Sequence, residues 1–536
     1  MKSVAVVGSG ASAVHFAQSA LAGGWRVTLF DVGRERPEHV RPELSFSGLK
    51  DSHAGASEYF LGRDFSGVLF PGAKGEYYGF PPHREFVFAP HRLFRSRTRG
   101  IDPLLSFARG GLAEAWTGAV FPFAQGELAD WPIGHAELAP HYDEVARRIG
   151  VVGAIDDLAP FVPPHAHMDA PLELDPHSQR LSERYAKVRE RLNRELGVYL
   201  GRTRAALLVA PRGERKVCDR KGRCLWGCPN DAIYSPLYTL RELQGQANFN
   251  YVPGVYVRRF EAGDGGRVRA LEIEREDGVR ESVAVERLVL AAGTLSSSRI
   301  FLESLSRVGD RAIELQGLMD NRQVLLPFVN LSMLRRRPEL DSYQYHQLAL
   351  GLAAADPREY VHGLVTTLKA ALIHPIVQSL PLDLRSALDV TRHAHAALGL
   401  VNVNFHDTRR ADNRLTLEGQ GDERRLSIHY APDAGEPARI RSGLRRVKRA
   451  LRALGCFVPP GMAHVRPMGA SVHYAGSIPM SASGGELTAT PGCKSRAFDN
   501  LWLADGATFP FLPAKNLTFT LMANAARIAA DEFGAR

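Results

Sequence analysis

Nowhere does the chain carry about 18 consecutive uncharged apolar residues, the length a membrane-crossing helix needs, so no membrane span is expected. The nearest approach, 361–382, is interrupted by Lys369, His374 and two prolines and reads as packed helices. Cysteine is scarce, with five in 536 residues. An odd number without an export signal argues for a reducing compartment. No secretory leader is expected either: Lys2 precedes an apolar run, but Gly8, Gly10, His15 and Gln18 break it. Cytoplasm is therefore the expected location, although co-export with a signal-bearing partner subunit would leave the same sequence. Internal repeats and low-complexity tracts are absent. There is no acidic excess either, since 67 Lys and Arg against 58 Asp and Glu leave a formal charge of +9. The densest basic cluster, Arg445-Arg446-Val447-Lys448-Arg449, interleaves with Leu444, Val447, Leu451 and Leu454 at helical spacing. That pattern is a solvated face over an apolar stripe, and no nucleic-acid partner is expected.

What the chain has is length and apolar content, 45% hydrophobic residues against 23% charged, enough for a large core and more than one domain. Its N-terminus is specific. Ser3-Val4-Ala5-Val6-Val7 reads as a parallel-sheet strand, Gly8-Ser9-Gly10-Ala11-Ser12-Ala13 follows, then a helical pattern to Leu21 and a second strand ending at Asp31. This is a βαβ unit with G-x-G-x-x-A at its first turn. Gly8 permits the turn, Gly10 lets a pyrophosphate approach the backbone, and Ala13 lets helix and strand pack closely. Asp31, 21 residues after Gly10, stands where a carboxylate binds ribose hydroxyls. The motif predicts a dinucleotide and does not distinguish FAD from NAD.

Further stretches do. Ser106–Phe121 (SFARGGLAEAWTGAVF), Asp130-Trp131-Pro132, Leu138–Tyr142, Leu288–Ile300 (LVLAAGTLSSSRI) and the C-terminal NLWLADGATFPFLPAKNLTFTLMANAARIAADEF resemble the glucose–methanol–choline (GMC) flavoprotein oxidoreductases. The resemblance covers both termini and much of the first 300 residues and fades between about 330 and 460. It implies that Gly8, Gly10, Ser12, Ala13 and Asp31 hold the ADP half of FAD, with Val255 at the adenine and Ala292-Gly293 near the pyrophosphate. Gly110-Gly111 through Ala115 and Trp116 would run beside the isoalloxazine. Pyranose oxidases carry a flavin-linked histidine in a similar stretch, whereas here the matching position is Ala115, so FAD is expected to be non-covalent. Asp505, Gly506 and the segment Asn516-Leu517-Thr518 complete the implied site. The helix that starts there has an uncharged first turn, and its positive end would face the negative charge of a reduced flavin.

Oxidising an alcohol also needs a proton acceptor that titrates near neutrality, for which histidine is the default. Among nineteen histidines, His473 follows an apparent strand and precedes a small-residue turn shortly upstream of the C-terminal segment. The family places its catalytic histidine in such a stretch and a second His or Asn at the position of Asn516. His473 is thus the expected base, Asn516 the expected orienter of the substrate oxygen, and His464 the fallback base. The wording departs from the family's usual His-Pro/Gly-x-x-x-Met-Gly, because Tyr474-Ala475-Gly476 follows His473.

Cys218, Cys224 and Cys228 form a C-x5-C-x3-C array before Pro229. Three clustered thiolates suit an iron–sulfur cluster or zinc, and packed structural thiols give the same spacing. The segment resembles the cluster-binding segment of bacterial FAD-dependent glucose dehydrogenases, and other GMC proteins carry similar cysteines without a cluster.

The expected fold is α/β, a discontinuous Rossmann-like FAD-binding domain (1–50, 200–310 and 485–536) beside a substrate domain with antiparallel sheet and helices (311–484). Residues 51–199 would wrap both, and the stretch 350–400, read as helical, would shape or cover the pocket. The expected reaction is FAD-dependent oxidation of a CH–OH group on a sugar, glycoside or polyol, with oxygen, a quinone or a cytochrome as electron acceptor. A hydrophobic alcohol or sterol as substrate, or a flavin-binding lyase or assembly subunit without redox turnover, are the alternatives.

Overall fold

The computed structural model describes residues 2–68, 76, 79–263, 265–308, 312–343 and 345–534. β1 (Ser3–Val7) and β2 (Arg26–Phe30) pair in parallel, Ser3 opposite Arg26 through Val7 opposite Phe30. Between them runs α1 (Ala11–Ala22). Strands from distant parts of the chain extend this pair into one parallel sheet in the order Leu501–Leu503, Leu288–Leu290, β1, β2, Phe249–Val252. The strands Ser3–Val7, Leu288–Leu290 and Leu501–Leu503 are buried almost throughout and rich in Val and Leu rather than alternating, as a covered parallel sheet requires. α1 packs on the C-terminal helix Thr518–Phe533. Ala13, Ala17 and Ala20 on one side and Ala523, Ala526 and Ala529 on the other are buried, and small side chains let the two backbones approach closely. Phe533 closes the far end edge-on against Phe16 and Trp25.

The second layer is an antiparallel sheet in the order Cys456–Phe457, Arg322–Asn330, Leu398–Phe405, Val361–Thr367, Leu348–Leu352, Val198–Arg202, with His464–Val465 also pairing to Arg322–Asn330. The strand Val198–Arg202 straddles the expected boundary at 200 and joins this sheet, not the parallel one. Helix Glu436–Ala453 lays Ile440, Leu444, Val447 and Leu451 against it and keeps Arg445 and Arg449 in solvent.

One expectation is corrected here. The stretch 350–400 is not all helix, because Leu348–Leu352 and Val361–Thr367 are central strands. The β-branched residues Val361, Val365, Thr366 and Thr367 fit a pleated position with a neighbour on each side, and pairing outweighs the helical reading of their flanks. Helix follows only at His374–Ser379 and Leu384–Ala394. No helix among the described residues is long and apolar enough to cross a membrane.

Candidate active site

A cavity of about 430 Å³ lies between the two sheets. Its first wall is largely backbone. The turn after β1 presents Gly8, Ser9, Gly10 and Ser12, and the loop after Leu288–Leu290 presents Ala292 and Gly293. Gly8 has φ +104°, and a Cβ there would meet the Ala291 carbonyl oxygen at 2.6 Å. At Gly10 the only atom such a Cβ would approach within 4 Å is the Gly110 oxygen at 3.9 Å, so the space above this turn is open for a ligand. Asp31 ends β2 and lines the cavity. Its carboxylate accepts from the Ser9 hydroxyl and, at 3.1 Å, from Tyr251, while burial pushes its pKa up to about 6. Asp505 is raised to about 6 for the same reason and holds the Ala507 amide at 3.0 Å.

The other residues expected to bind the cofactor fall as follows. Gly111, Ala115, Trp116, Val255, Gly506, Asn516, Leu517 and Thr518 all line the cavity. Gly110 stands just behind, donating its amide to Ser9 Oγ at 3.0 Å. Ala13 is wholly buried inside α1, in the packing role its size suggests. Trp116 is held by its ring N–H on the Tyr234 carbonyl at 2.7 Å. Helix Thr518–Phe533 starts at the cavity without an acidic residue in its first turn and without a side-chain cap, which leaves its first amides unclaimed by the protein.

The second wall is made of side chains, and it contains His473. Its Nδ1 lies 3.0 Å from Asn321 Oδ1. Asn321 is buried, and its Nδ2 donates to two backbone carbonyls, Phe405 at 3.0 Å and Pro513 at 2.9 Å. Those acceptors fix the amide, so Oδ1 must face the histidine. Nδ1 therefore carries the hydrogen and Nε2 is left as the basic nitrogen. Burial lowers the ring's pKa to about 4, so it is neutral at pH 7. The backbone is held too: the His473 amide donates to Ser471 Oγ at 3.0 Å, and Ser471 and the Gly469 amide donate to Asp320. Val472, at φ +63°, adopts the left-handed conformation that a β-branched residue keeps only under such constraint.

Asn516 reaches the same cavity from the other side. Lys515 beside it is fully buried, paired with the buried Glu127 and bonded to the Pro122 carbonyl at 3.1 Å. Distant pieces of chain, 122–127 and 515–516, are thereby tied together.

One further expectation is corrected. His464 does not line the cavity; its side chain is 55% exposed and bonds Glu76 at 2.8 Å. The structure gives no support to a cluster at Cys218, Cys224 and Cys228, since no group of three or more His, Cys, Asp or Glu among the described residues is arranged to hold a metal. Their side chains pack with Val152, Leu207 and Tyr343. Burial raises Cys218 to about 11 and moves Cys228 upward. Sequence reasoning missed Asn321 and Tyr251, and no local signal ties position 321 to 473 or 251 to 31.

Comparison with known proteins points to the same family. Residues 409–525 match the GMC oxidoreductase family model. The chain is 24% identical over 443 residues to 6'''-hydroxyparomomycin C oxidase of Streptomyces lividus, covering 76% of this chain and 74% of that protein. It is 24% identical over 438 residues to paromamine 6'-oxidase of Streptomyces fradiae, with coverage of 77% and 75%. The fold is shared with pyridoxine 4-oxidase from Mesorbium loti at TM-score 0.60 and 18% identity, over 99% of this chain and 98% of that one. It is also shared, at TM-score 0.60 and 12% identity over 98% and 97%, with a formate oxidase of Aspergillus oryzae studied for its FAD modification. Residues 409–525 thus carry a GMC oxidoreductase domain. FAD is the cofactor that this similarity supports. The first wall fits it on the structure's own terms, with a glycine turn open to a phosphate, a carboxylate at the end of β2 and an uncapped helix start.

Proposed function

We propose that this protein, as a GMC oxidoreductase, oxidises a CH–OH group of a small hydroxylated molecule such as a sugar, glycoside or polyol. The observation that carries the reading is one cavity that joins a dinucleotide cradle to a neutral, oriented histidine. FAD, when bound, would supply the two-electron acceptor for the hydride that leaves the substrate carbon. Gly8, Gly10, Ser12 and Asp31 would hold its nucleotide half, with Val255, Ala292, Gly293, Asp505 and Gly506 alongside. Gly111, Ala115, Trp116, Leu517 and Thr518 would flank its ring system. Ala115 offers no nucleophile for a covalent link.

His473 is the base in this reading. Its Nε2 takes the hydroxyl proton, and the Nδ1–H bond to Asn321 orients the resulting imidazolium and disperses its charge. Asn516 orients the substrate oxygen between that base and the ring. The unclaimed amides at Leu517 and Thr518 favour negative charge on the group they face. The largely apolar surroundings limit the water that competes for the proton.

The test is the visible spectrum of anaerobic holoprotein before and after addition of a mixed sugar-and-alcohol pool. Bleaching of the flavin band by the pool, abolished in His473→Ala with the flavin still bound, is expected. Bleaching at wild-type rate in that variant removes His473 as the base. A flavin that no alcohol bleaches removes alcohol oxidation.

A further inference from the structure

On the far side of His473 from the nucleotide turn, the antiparallel sheet shows one face to the cavity. Asn402 stands opposite Leu364 on one neighbouring strand and opposite Leu325 on the other. Side chains alternate along a strand, so Gln323 and Thr366, each two residues on from one of these partners, share that face. Gln323, Leu364 and Asn402 line the cavity, joined by His346, whose Nδ1 lies 2.5 Å from Thr366 Oγ1. Burial lowers His346 to about 4, so it too is neutral. The Asn402 amide makes no side-chain hydrogen bond among the described residues, and its Oδ1 is a buried acceptor without a donor. Gln323 Oε1 accepts from Arg466 at 2.8 Å, which leaves its NH₂ group as a donor.

Charge on this wall is balanced. Arg466 lines the cavity and is paired with Glu76 at 2.7 Å. The carboxylates among the described lining residues are Asp31 and Asp505, both on the nucleotide wall. An ammonium group carries donors only and a full charge, and burying it beside Arg466 without an unpaired carboxylate is costly. A hydroxyl both donates and accepts, which matches an uncommitted amide, a neutral imidazole and a glutamine NH₂.

We propose, resting on the alcohol-oxidation reading above, that Gln323, His346 and Asn402 form the subsite that selects the substrate, and that it takes uncharged polyhydroxylated molecules while rejecting protonated amino sugars. Leu364 offers the same subsite an apolar contact for the C–H face of a sugar ring. This would separate the chain's selectivity from that of the two relatives, whose names give aminoglycoside substrates.

The experiment uses flavin-loaded protein and matched sets of hexosides and polyols, each as the hydroxyl compound, its amino-deoxy analogue and the N-acetylated amine. At pH 6 the ammonium form is expected to show kcat/KM at least about tenfold below the hydroxyl compound, mainly through KM, and to recover as pH rises past the amine's pKa. Asn402→Asp should shift the ratio toward the ammonium form by about tenfold or more, because it supplies the missing carboxylate. Asn402→Ala and His346→Ala should raise KM for the hydroxyl compound while the acid limb of the kcat profile stays in place. Flavin content and melting temperature identify any variant that has misfolded, and Asn402→Asp, close in size to the native residue, keeps the test open in that case. Ammonium forms turned over as well as or better than hydroxyl forms would overturn the proposal and leave alcohol oxidation standing. So would an unchanged preference in a folded Asn402→Asp. If no member of any set reduces the wild-type flavin, alcohol oxidation itself falls, and the subsite with it.

Discussion

The nucleotide wall of the cavity is built largely from backbone, whereas the wall that carries His473 is built from side chains. On the first wall, Gly8 and Gly10 act by leaving room, and one strand–turn–helix unit supplies Val7 through Ser12. On the second, His473, Asn321, Asn402 and His346 come from separate strands and loops, with His473 held by Asn321 and His346 by Thr366. A wall of the first kind is sensitive to added atoms and tolerant of polarity changes. A wall of the second kind is sensitive to the loss of one hydrogen-bonding atom.

Substitutions can break that contrast in order of size. Removing the proposed base, His473→Ala, should lower kcat by about 10²- to 10⁴-fold while FAD stays bound, measured by steady-state turnover and the flavin-to-protein ratio. The buried Lys515–Glu127 pair should show the stability equivalent. Glu127→Gln leaves a buried ammonium without its counter-charge and should cost about 3–5 kcal/mol in denaturant unfolding. Gly8→Ala adds one methyl against the Ala291 oxygen at a φ that disfavours it, which should cost about 1–3 kcal/mol and reduce FAD occupancy. If Gly8→Ala binds FAD like the wild type, the backbone account of the first wall is wrong.

A subtler change sharpens the second wall. His473 is neutral above its lowered pKa, so kcat/KM should be flat through neutrality and fall as pH drops through about 4. Asn321→Asp places a carboxylate at Nδ1, favours the imidazolium and should move that acid limb to higher pH. A limb that stays put would mean that Asn321 does not control the ring.

Legibility followed the same division. The βαβ unit was readable because strand, glycine turn, helix and acid lie within about thirty residues, and local spacing alone sets their geometry. His473 and Asn516 were reached only through resemblance of their flanking stretches. The stretch 361–367 was misread because its apolar run suits helix or strand equally until its neighbours on either side are known. The cysteines stayed open between a cluster and packed thiols because spacing along a loop does not say whether thiols converge on a metal or pack in a core.

By itself the sequence determined the dinucleotide turn, the acid that follows it and the uncharged first turn of the helix that starts at Thr518, since each depends on interactions between near neighbours. Only the tertiary structure decided which histidine nitrogen is basic, which amides stand on the cavity face of the antiparallel sheet and where the buried Lys515–Glu127 tie runs. Those features join residues 152, 79 and 388 positions apart, and no local preference encodes a contact across such separations.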